Sequence, residues 1–269
     1  MIMLEFVKGH GTENDFVLLP DPHGAIELTV PLVRALCDRR SGIGADGVLR
    51  VVPDRGRQGG WFMDYRNADG STAQMCGNGI RVYARYLVDA GLAAAGDLEL
   101  GTRDGPRRVR LGRTGDVTVD MGPAQIAGES SAEISGRRLP GVCVSMGNPH
   151  LVCVVPGGLS GYDLSHPPDV DRTAFPDGVN VELVAHLGER HVAMRVHERG
   201  VGETRSCGTG ACAAVVAVAA RAPAGDGEWT VDVPGGRLAV HLAGGGASLS
   251  GPAVIVGGGT LDENWLSAV

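Results

Sequence analysis

Asp64–Gly79 reads DYRNADGSTAQMCGNG, and Arg195–Gly210, 131 positions downstream in a chain of 269 residues, reads RVHERGVGETRSCGTG. Aligned without gaps, Cys76 falls on Cys207 and Asn67 on Glu198. In each copy a strand pattern and a polar loop lead into Cys-Gly-x-Gly, and an apolar helix pattern follows. A second pair lies upstream: Asn14-Asp15-Phe16-Val17 and Asn148-Pro149-His150-Leu151, 134 positions apart, each a polar turn before an apolar strand. A matched offset in a matched context reads as a duplication. The expected halves are 1–121, carrying Cys76, and 122–252, carrying Cys207. A last strand near 253–269 is free to return to the first half.

Working outward, the chain reads as many short strands and few helices. Fifteen strand candidates run from Leu4–Lys8 to Ala253–Val256, separated by Gly, Pro, Asn and Asp turn signals, with none between Met121 and Val142. Three segments read as helices: Val30–Arg39, Cys76–Ala90, which stops at Gly91, and Gly208–Arg221. The second has apolar residues at Ile80, Tyr83, Ala84 and Leu87, a one-faced spacing. The third is nearly all Ala and Val, and a helix apolar all round is buried. Two central helices among many strands predict an α+β fold of two pseudo-symmetric domains, each a mostly antiparallel curled sheet or barrel around a central helix.

Composition narrows the function classes. With 24 basic against 31 acidic residues the net charge is −7, and aromatics make up 4%, which argues against nucleic acid as a partner. The basic stretch Arg103–Arg113 alternates like the solvated face of a strand. The longest apolar run, Ala211–Ala220, is half the ~20 residues a membrane span needs, and MIMLEFVKGHG lacks a signal-peptide pattern, so a cytoplasmic location is expected. Six cysteines show no C-x-x-C and eight histidines show no H-E-x-x-H, so no metal site is expected. Gly42-Ile43-Gly44-Ala45-Asp46-Gly47 matches G-x-G-x-x-G, but a helix precedes it and a strand follows. A dinucleotide site needs the reverse order.

Cysteine opening a helix is chemically distinctive. The helix N-terminus offers unpaired N–H groups and partial positive charge, which favour a thiolate and can hold a carboxylate. A single Cys-Gly pair reads as a nucleophile, an anion site or a structural cap. Two such sites in pseudo-symmetric halves supply what inversion at a carbon centre requires: one thiolate to remove a proton and one thiol to return a proton to the other face. Cys212 lies about 140° around the helix from Cys207 and reads as core. Cys37, Cys143 and Cys153 lie in apolar segments and read as buried hydrophobes.

GHGTENDFV (Gly9–Val17), RSGIGADGVL (Arg40–Leu49), NADGSTAQMCGNGIR (Asn67–Arg81), VSMGNPH (Val144–His150), FPDGVNVE (Phe175–Glu182) and ERGVGETRSCGTGACAA (Glu198–Ala214) together closely resemble the diaminopimelate epimerase family, in order and over nearly the full length. The resemblance implies a cofactor-independent isomerase interconverting LL- and meso-2,6-diaminopimelate, in lysine and peptidoglycan precursor synthesis. It implies Cys76 and Cys207 as the acid/base pair, with His150 and Glu198 assisting. Asn14, Asn67, Asn148, Asn180, Glu198 and Arg199 would hold the distal end of the substrate. Gly77, Asn78, Gly208 and Thr209 would hold the reacting carboxylate. It also implies a homodimer and no cofactor. Thr12-Glu13 stands where many members have Leu-Gly, Gly47 where some have a substrate-touching Gln, and Thr209 where Ser is common. Three rival readings stay open: a related racemase acting on proline, hydroxyproline or histidine; a thiol redox protein; and a binding module for a small amino acid. The distal-end set, Arg199 with Asn67 and Asn180, favours a substrate with a second amino-acid head.

Overall fold

The computed structural model describes residues 4–221 and 225–269. The chain divides into two compact units, Met1–Val119 with Pro252–Val269, and Asp120–Gly251. In chain order the elements are β1 (Glu5–Gly11), β2 (Asn14–Pro20), α1 (Val30–Cys37), β3 (Gly47–Pro53), β4 (Trp61–Asn67), α2 (Gly77–Asp89), β5 (Gly96–Leu100), β6 (Arg107–Leu111) and β7 (Val117–Pro123). They continue with β8 (Gln125–Ile134), β9 (Arg137–Ser145), β10 (Pro149–Val154), a 3-10 turn at Leu159–Gly161, β11 (Asp169–Val170), β12 (Asn180–Gly188), β13 (His191–Glu198) and β14 (Gly202–Thr204). The last are α3 (Gly208–Ala219), β15 (Gly227–Val233), β16 (Gly236–Ala243), β17 (Gly246–Gly251), β18 (Val254–Thr260) and α4 (Glu263–Ser267).

The two units repeat one topology. In the first, strands lie in the order β18-β1-β2-β3-β4, with β2 and β3 parallel and the other pairs antiparallel. A parallel bridge from Phe62 to Gly101 continues it to the antiparallel β5-β6-β7 meander. In the second, β8-β9-β10-β12-β13 repeats these senses, with β10 and β12 parallel. A parallel β13-β15 pair then leads to the antiparallel β15-β16-β17 meander. Each ribbon curls around its helix. α2 packs against β1, β2, β3, β4, β6 and β18; α3 packs against β9, β10, β12, β13, β15, β16 and β17. The α+β class and the central helices expected from the sequence are what the chain adopts.

The helix compositions follow from this enclosure. α3 buries Ala211, Cys212, Ala213, Ala214, Val215, Ala217 and Val218, because sheet surrounds it on most sides. α2 buries Ile80, Tyr83, Ala84 and Leu87, but also Arg81 and Arg85. Arg85 donates to the carbonyls of Gly112, Arg113 and Gly115, so its planar fork satisfies the turn that joins β6 to β7. Arg81 donates to Gly77 O, Thr12 Oγ1 and Pro252 O, tying the helix's first turn to the β1–β2 turn and the returning chain.

Several expectations need correction. The structure adds β8, whose first five residues are exposed and show no apolar alternation; the register also shifts between Ile126 and Gly128. β11, β14 and α4 are too short to leave a periodic signal. Arg103 is no solvated strand residue: it precedes β6, pairs with Asp64 and donates to Tyr65 O at 3.0 Å. Cys143 is half-buried rather than buried; Cys37, Cys153 and Cys212 are core. Gly42 through Gly47 form a packing loop. Backbone N–H groups of Gly42, Ile43, Gly44 and Ala45 take up the last carbonyls of α1 and its cap. A Cβ on Gly42 would stand 1.9 Å from Ala35 O, and one on Gly47 2.6 Å from both Arg66 O and the Tyr65 ring.

Two stability predictions follow from this packing. Gly42→Ala should lower unfolding free energy by about 3 kcal/mol, since backbone must move to admit the methyl group; urea denaturation would measure it, and an unchanged midpoint would refute the account. The second concerns acid. Burial would raise the carboxyl of Asp15, but hydrogen bonds and charge from Arg39 and Lys8 hold it well below the usual range. Asp21 is likewise lowered against its burial by the Ile26 and Ala25 N–H groups and Arg50, and Asp64 by Arg103 and Arg66. Groups with lowered folded values stabilise fully above their unfolded values near 4, and that stability is lost as pH falls through the folded values. The urea midpoint should therefore hold down to about pH 4 and drop progressively below it.

Candidate active site

Cys76 caps α2 from an extended conformation (φ −141°, ψ 118°); its Sγ accepts the Gly79 N–H at 3.2 Å and its carbonyl accepts the Ile80 N–H at 2.9 Å. Cys207 does the same for α3 (φ −126°, ψ 118°), with Gly210 N to Sγ at 3.3 Å and Ala211 N to the carbonyl at 2.9 Å. Glycine at the third helical position keeps the sulfur open: a Cβ on Gly79 would lie 3.5 Å from Cys76 Sγ, and one on Gly210 3.2 Å from Cys207 Sγ. Each thiol therefore sits on the positive end of a helix with an N–H aimed at it.

In the first unit the thiol keeps amide company. Asn14 Oδ1 accepts from Asn78 Nδ2 at 3.1 Å and lies 3.8 Å from Cys76 Sγ. Asn14 Nδ2 donates to Asp46 Oδ2 at 2.7 Å, and because a carboxylate only accepts, this bond fixes which way the amide points. Asp46 is held in turn by Arg39 at 2.7 Å and the Asp15 N–H at 3.2 Å. Asn14 follows a two-residue turn in which Thr12 (φ 50°) and Glu13 (φ 62°) are both left-handed, at about 1–2 kcal/mol each. Arg81 to Thr12 Oγ1 and Glu13 N to His10 Nδ1, each at 3.3 Å, help hold the turn. Asn67 ends β4 opposite Gly47 and donates to Ser71 Oγ at 3.0 Å, within the loop that leads to Cys76. The space a glutamine would need at position 47 is filled by Tyr65 and the Arg66 carbonyl.

In the second unit the thiol is ringed by acids. His150 and Glu182 are fully buried, with Nδ1 and Oε1 2.6 Å apart, and His150 Nε2 lies 3.0 Å from Asn148 Oδ1. Asn148 Nδ2 reaches Thr209 Oγ1 at 3.5 Å, and Thr209 Oγ1 lies 3.5 Å from Cys207 Sγ. Glu198, at the end of β13, accepts from Thr204 Oγ1 and from the Cys207 thiol. Burial pushes Glu182 and Glu198 above the usual carboxylate range. Burial first, then the charges of Glu198 and Glu182, push the Cys207 thiol well above its ordinary value. This pocket disfavours the thiolate of Cys207. Asn180 Oδ1 accepts the Arg199 N–H at 2.9 Å, while the exposed Arg199 guanidinium donates to Asp177 O at 3.2 Å and its stem lies over Gly178.

The expected residues fall into three groups, with Asn67 outside them. Asn14, Gly77 and Asn78 gather at Cys76; Asn148, His150, Glu198, Gly208 and Thr209 gather at Cys207; Asn180 and Arg199 form their own pair. Sequence reasoning missed Asp46, Thr204 and Glu182. Glu182 left a signal, a lone acid inside the apolar run NVELV.

Solved structures with the same fold include a hydroxyproline epimerase from Agrobacterium vitis with bound trans-4-hydroxy-L-proline, 16% identical, covering 97% of this chain and 93% of that one with a TM-score of 0.72. A phenazine biosynthesis protein of the PhzF family from Bacillus anthracis, 15% identical, covers 97% and 100% with the same TM-score. The sequence profile of diaminopimelate epimerase matches residues 6–127 and 142–256. The diaminopimelate epimerase of Thermobifida fusca is 53% identical over 95% of this chain and 97% of its own length. That of Streptomyces coelicolor is 52% identical over 99% and 98%. The chain belongs to the diaminopimelate epimerase family and is an isomerase, as the sequence resemblance implied. Among the described residues no helix is long and apolar enough to cross a membrane.

Thiol chemistry gives a direct check. Burial raises Cys37 and Cys153 to about 12 and Cys207 well above its ordinary value, and only the thiolate alkylates. Iodoacetamide at neutral pH, followed by peptide mass spectrometry, should label the half-buried Cys76 while these three stay at least about tenfold slower.

Proposed function

We propose that this enzyme interconverts LL- and meso-2,6-diaminopimelate with no cofactor, by proton transfer between the substrate α-carbon and the thiols of Cys76 and Cys207. The observation that carries the reading is the duplicated cap: two cysteines with matching backbone angles, each receiving the N–H of a glycine three residues on. Names of relatives 53% and 52% identical over nearly the whole chain support the substrate.

A thiolate takes the α-proton; the pair of electrons left on carbon spreads into the adjacent carboxylate. N–H groups at Gly77, Asn78, Gly208 and Thr209 receive that carboxylate and stabilise the added charge. The other thiol delivers its proton to the opposite face, so the centre inverts and the two sulfurs exchange protonation states. Cys207 is suited to the donor role in the form described here. His150 and Glu198 assist the proton exchange that resets the thiols. Asn14, Asn67, Asn148, Asn180, Glu198 and Arg199 hold the distal amino-acid head, Arg199 by a planar permanent cation and Glu198 by accepting from an ammonium. Thr209 keeps a hydroxyl donor where serine is common. A cytoplasmic homodimer serving lysine and peptidoglycan precursor synthesis completes the reading.

The test is proton NMR of LL-diaminopimelate with reduced protein in D2O. One α-proton signal should vanish as the meso isomer appears, and proline, hydroxyproline and histidine should stay unexchanged. Cys76→Ala and Cys207→Ala should each lower turnover by at least about 100-fold with the fold intact by circular dichroism. Near-normal turnover in either variant would overturn the two-thiol mechanism.

A further inference from the structure

Glu182 is an unusual residue to find where it lies. β12 carries it inside the run NVELV, and parallel pairing sets it opposite Val152, two residues past His150, so Glu182 and His150 share a sheet face. Both side chains are fully buried. Oε1 meets His150 Nδ1 at 2.6 Å, while Oε2 is buried with no hydrogen-bond partner among the described residues. A buried carboxylate oxygen with no donor is a standing cost, and an apolar side chain of similar volume avoids it. Stability therefore does not explain this acid. Its position does: a Cβ on Gly210 would stand 2.8 Å from Glu182 Oε1 and 3.2 Å from Cys207 Sγ, so carboxylate and thiol flank the same point of α3.

We propose that Glu182 is a positioning residue for the epimerisation. Its carboxylate fixes His150 in one orientation with a proton on Nδ1, and its charge, facing Cys207 across Gly210, keeps that thiol in the acid form. The proposal rests on Cys207 acting as one of the two acid/base thiols. The other groups facing this pocket are Glu198 from β13 and Thr209 from α3; Cys153 of β10, on the opposite face of the sheet, feels Glu182 only electrostatically. No atom is transferred to Glu182; it acts through His150 and through its field.

The decisive variant is Glu182→Gln, which keeps shape and removes charge. Expected are a kcat at least about tenfold lower with KM within about twofold. The alkylation profile of Cys207 against pH should move toward acid, since the variant removes a charge that disfavours the thiolate. Unchanged kcat, pH profile and Cys207 alkylation would overturn the proposal, as would lowered stability with an unmoved alkylation profile, which is a structural role alone. Should the variant not fold, the wild-type protein decides. A low-field Nδ1–H proton signal, assigned by its loss in His150→Gln, is expected; its absence overturns the proposal. A wild type that leaves diaminopimelate unexchanged would instead sink the substrate reading, and the alkylation profile would still test the carboxylate's effect on Cys207.

Discussion

The enclosure of each central helix by strands is the constraint on which the rest of the structure depends, and it holds a sulfur–amide bond at the helix's start. A helix begins with N–H groups that have no intrahelical partner, and here a thiol takes one of them where serine or aspartate is the usual cap. Sulfur is a weak acceptor, so the cap is poor for helix stability. What it gains is a reactive atom fixed at the positive end of a dipole. Enclosure then makes up the stability: each helix is wrapped by strands along its length, and its burial holds the N-terminus in place whatever the strength of its cap.

One scaffold carries two chemical environments. The strand senses repeat from unit to unit, and the cap geometry repeats within a few tenths of an ångström in the Sγ contact. The neighbours do not repeat. Around Cys76 stand neutral amides backed by the Asp46, Asp15, Arg39 and Lys8 network, in which every carboxylate has a cation. Around Cys207 stand Glu182 and Glu198; the thiol's own burial, then their charges, disfavour a thiolate. The backbone at the two caps is thus alike, while burial and nearby acids set the surroundings of Cys207 apart from those of Cys76.

The glycine-rich loop at 42–47 illustrates how a short motif is read by its surroundings. Its glycines approach the end of α1 and the Tyr65 ring too closely for any side chain, and its aspartate, Asp46, orients Asn14 beside the thiol. The spacing of a phosphate loop is present, but the elements around it direct the backbone N–H groups onto the carbonyls of α1. The neighbouring turn at Thr12-Glu13 shows the complementary case: two side chains accept a left-handed backbone because buried Arg81 and the His10 ring tie it down.

By itself the sequence determined what depends on near neighbours in the chain. Cys76 and Cys207 were legible as helix caps because a cap involves residues three positions apart, and the Ala-Val run of α3 announced a helix buried all round because periodicity is a local property. The duplication was legible because both copies kept the same local order. Only the tertiary structure decided the pairs set by strand register: His150 with Glu182 and Asn14 with Asp46, each 32 positions apart, meet because a parallel pairing brings one strand beside another. It alone decided β8, whose exposed polar residues carry no pattern, and whose hydrogen bonds come from lying beside β9. Sheet register joins residues the chain keeps far apart, and no spacing along the sequence encodes it.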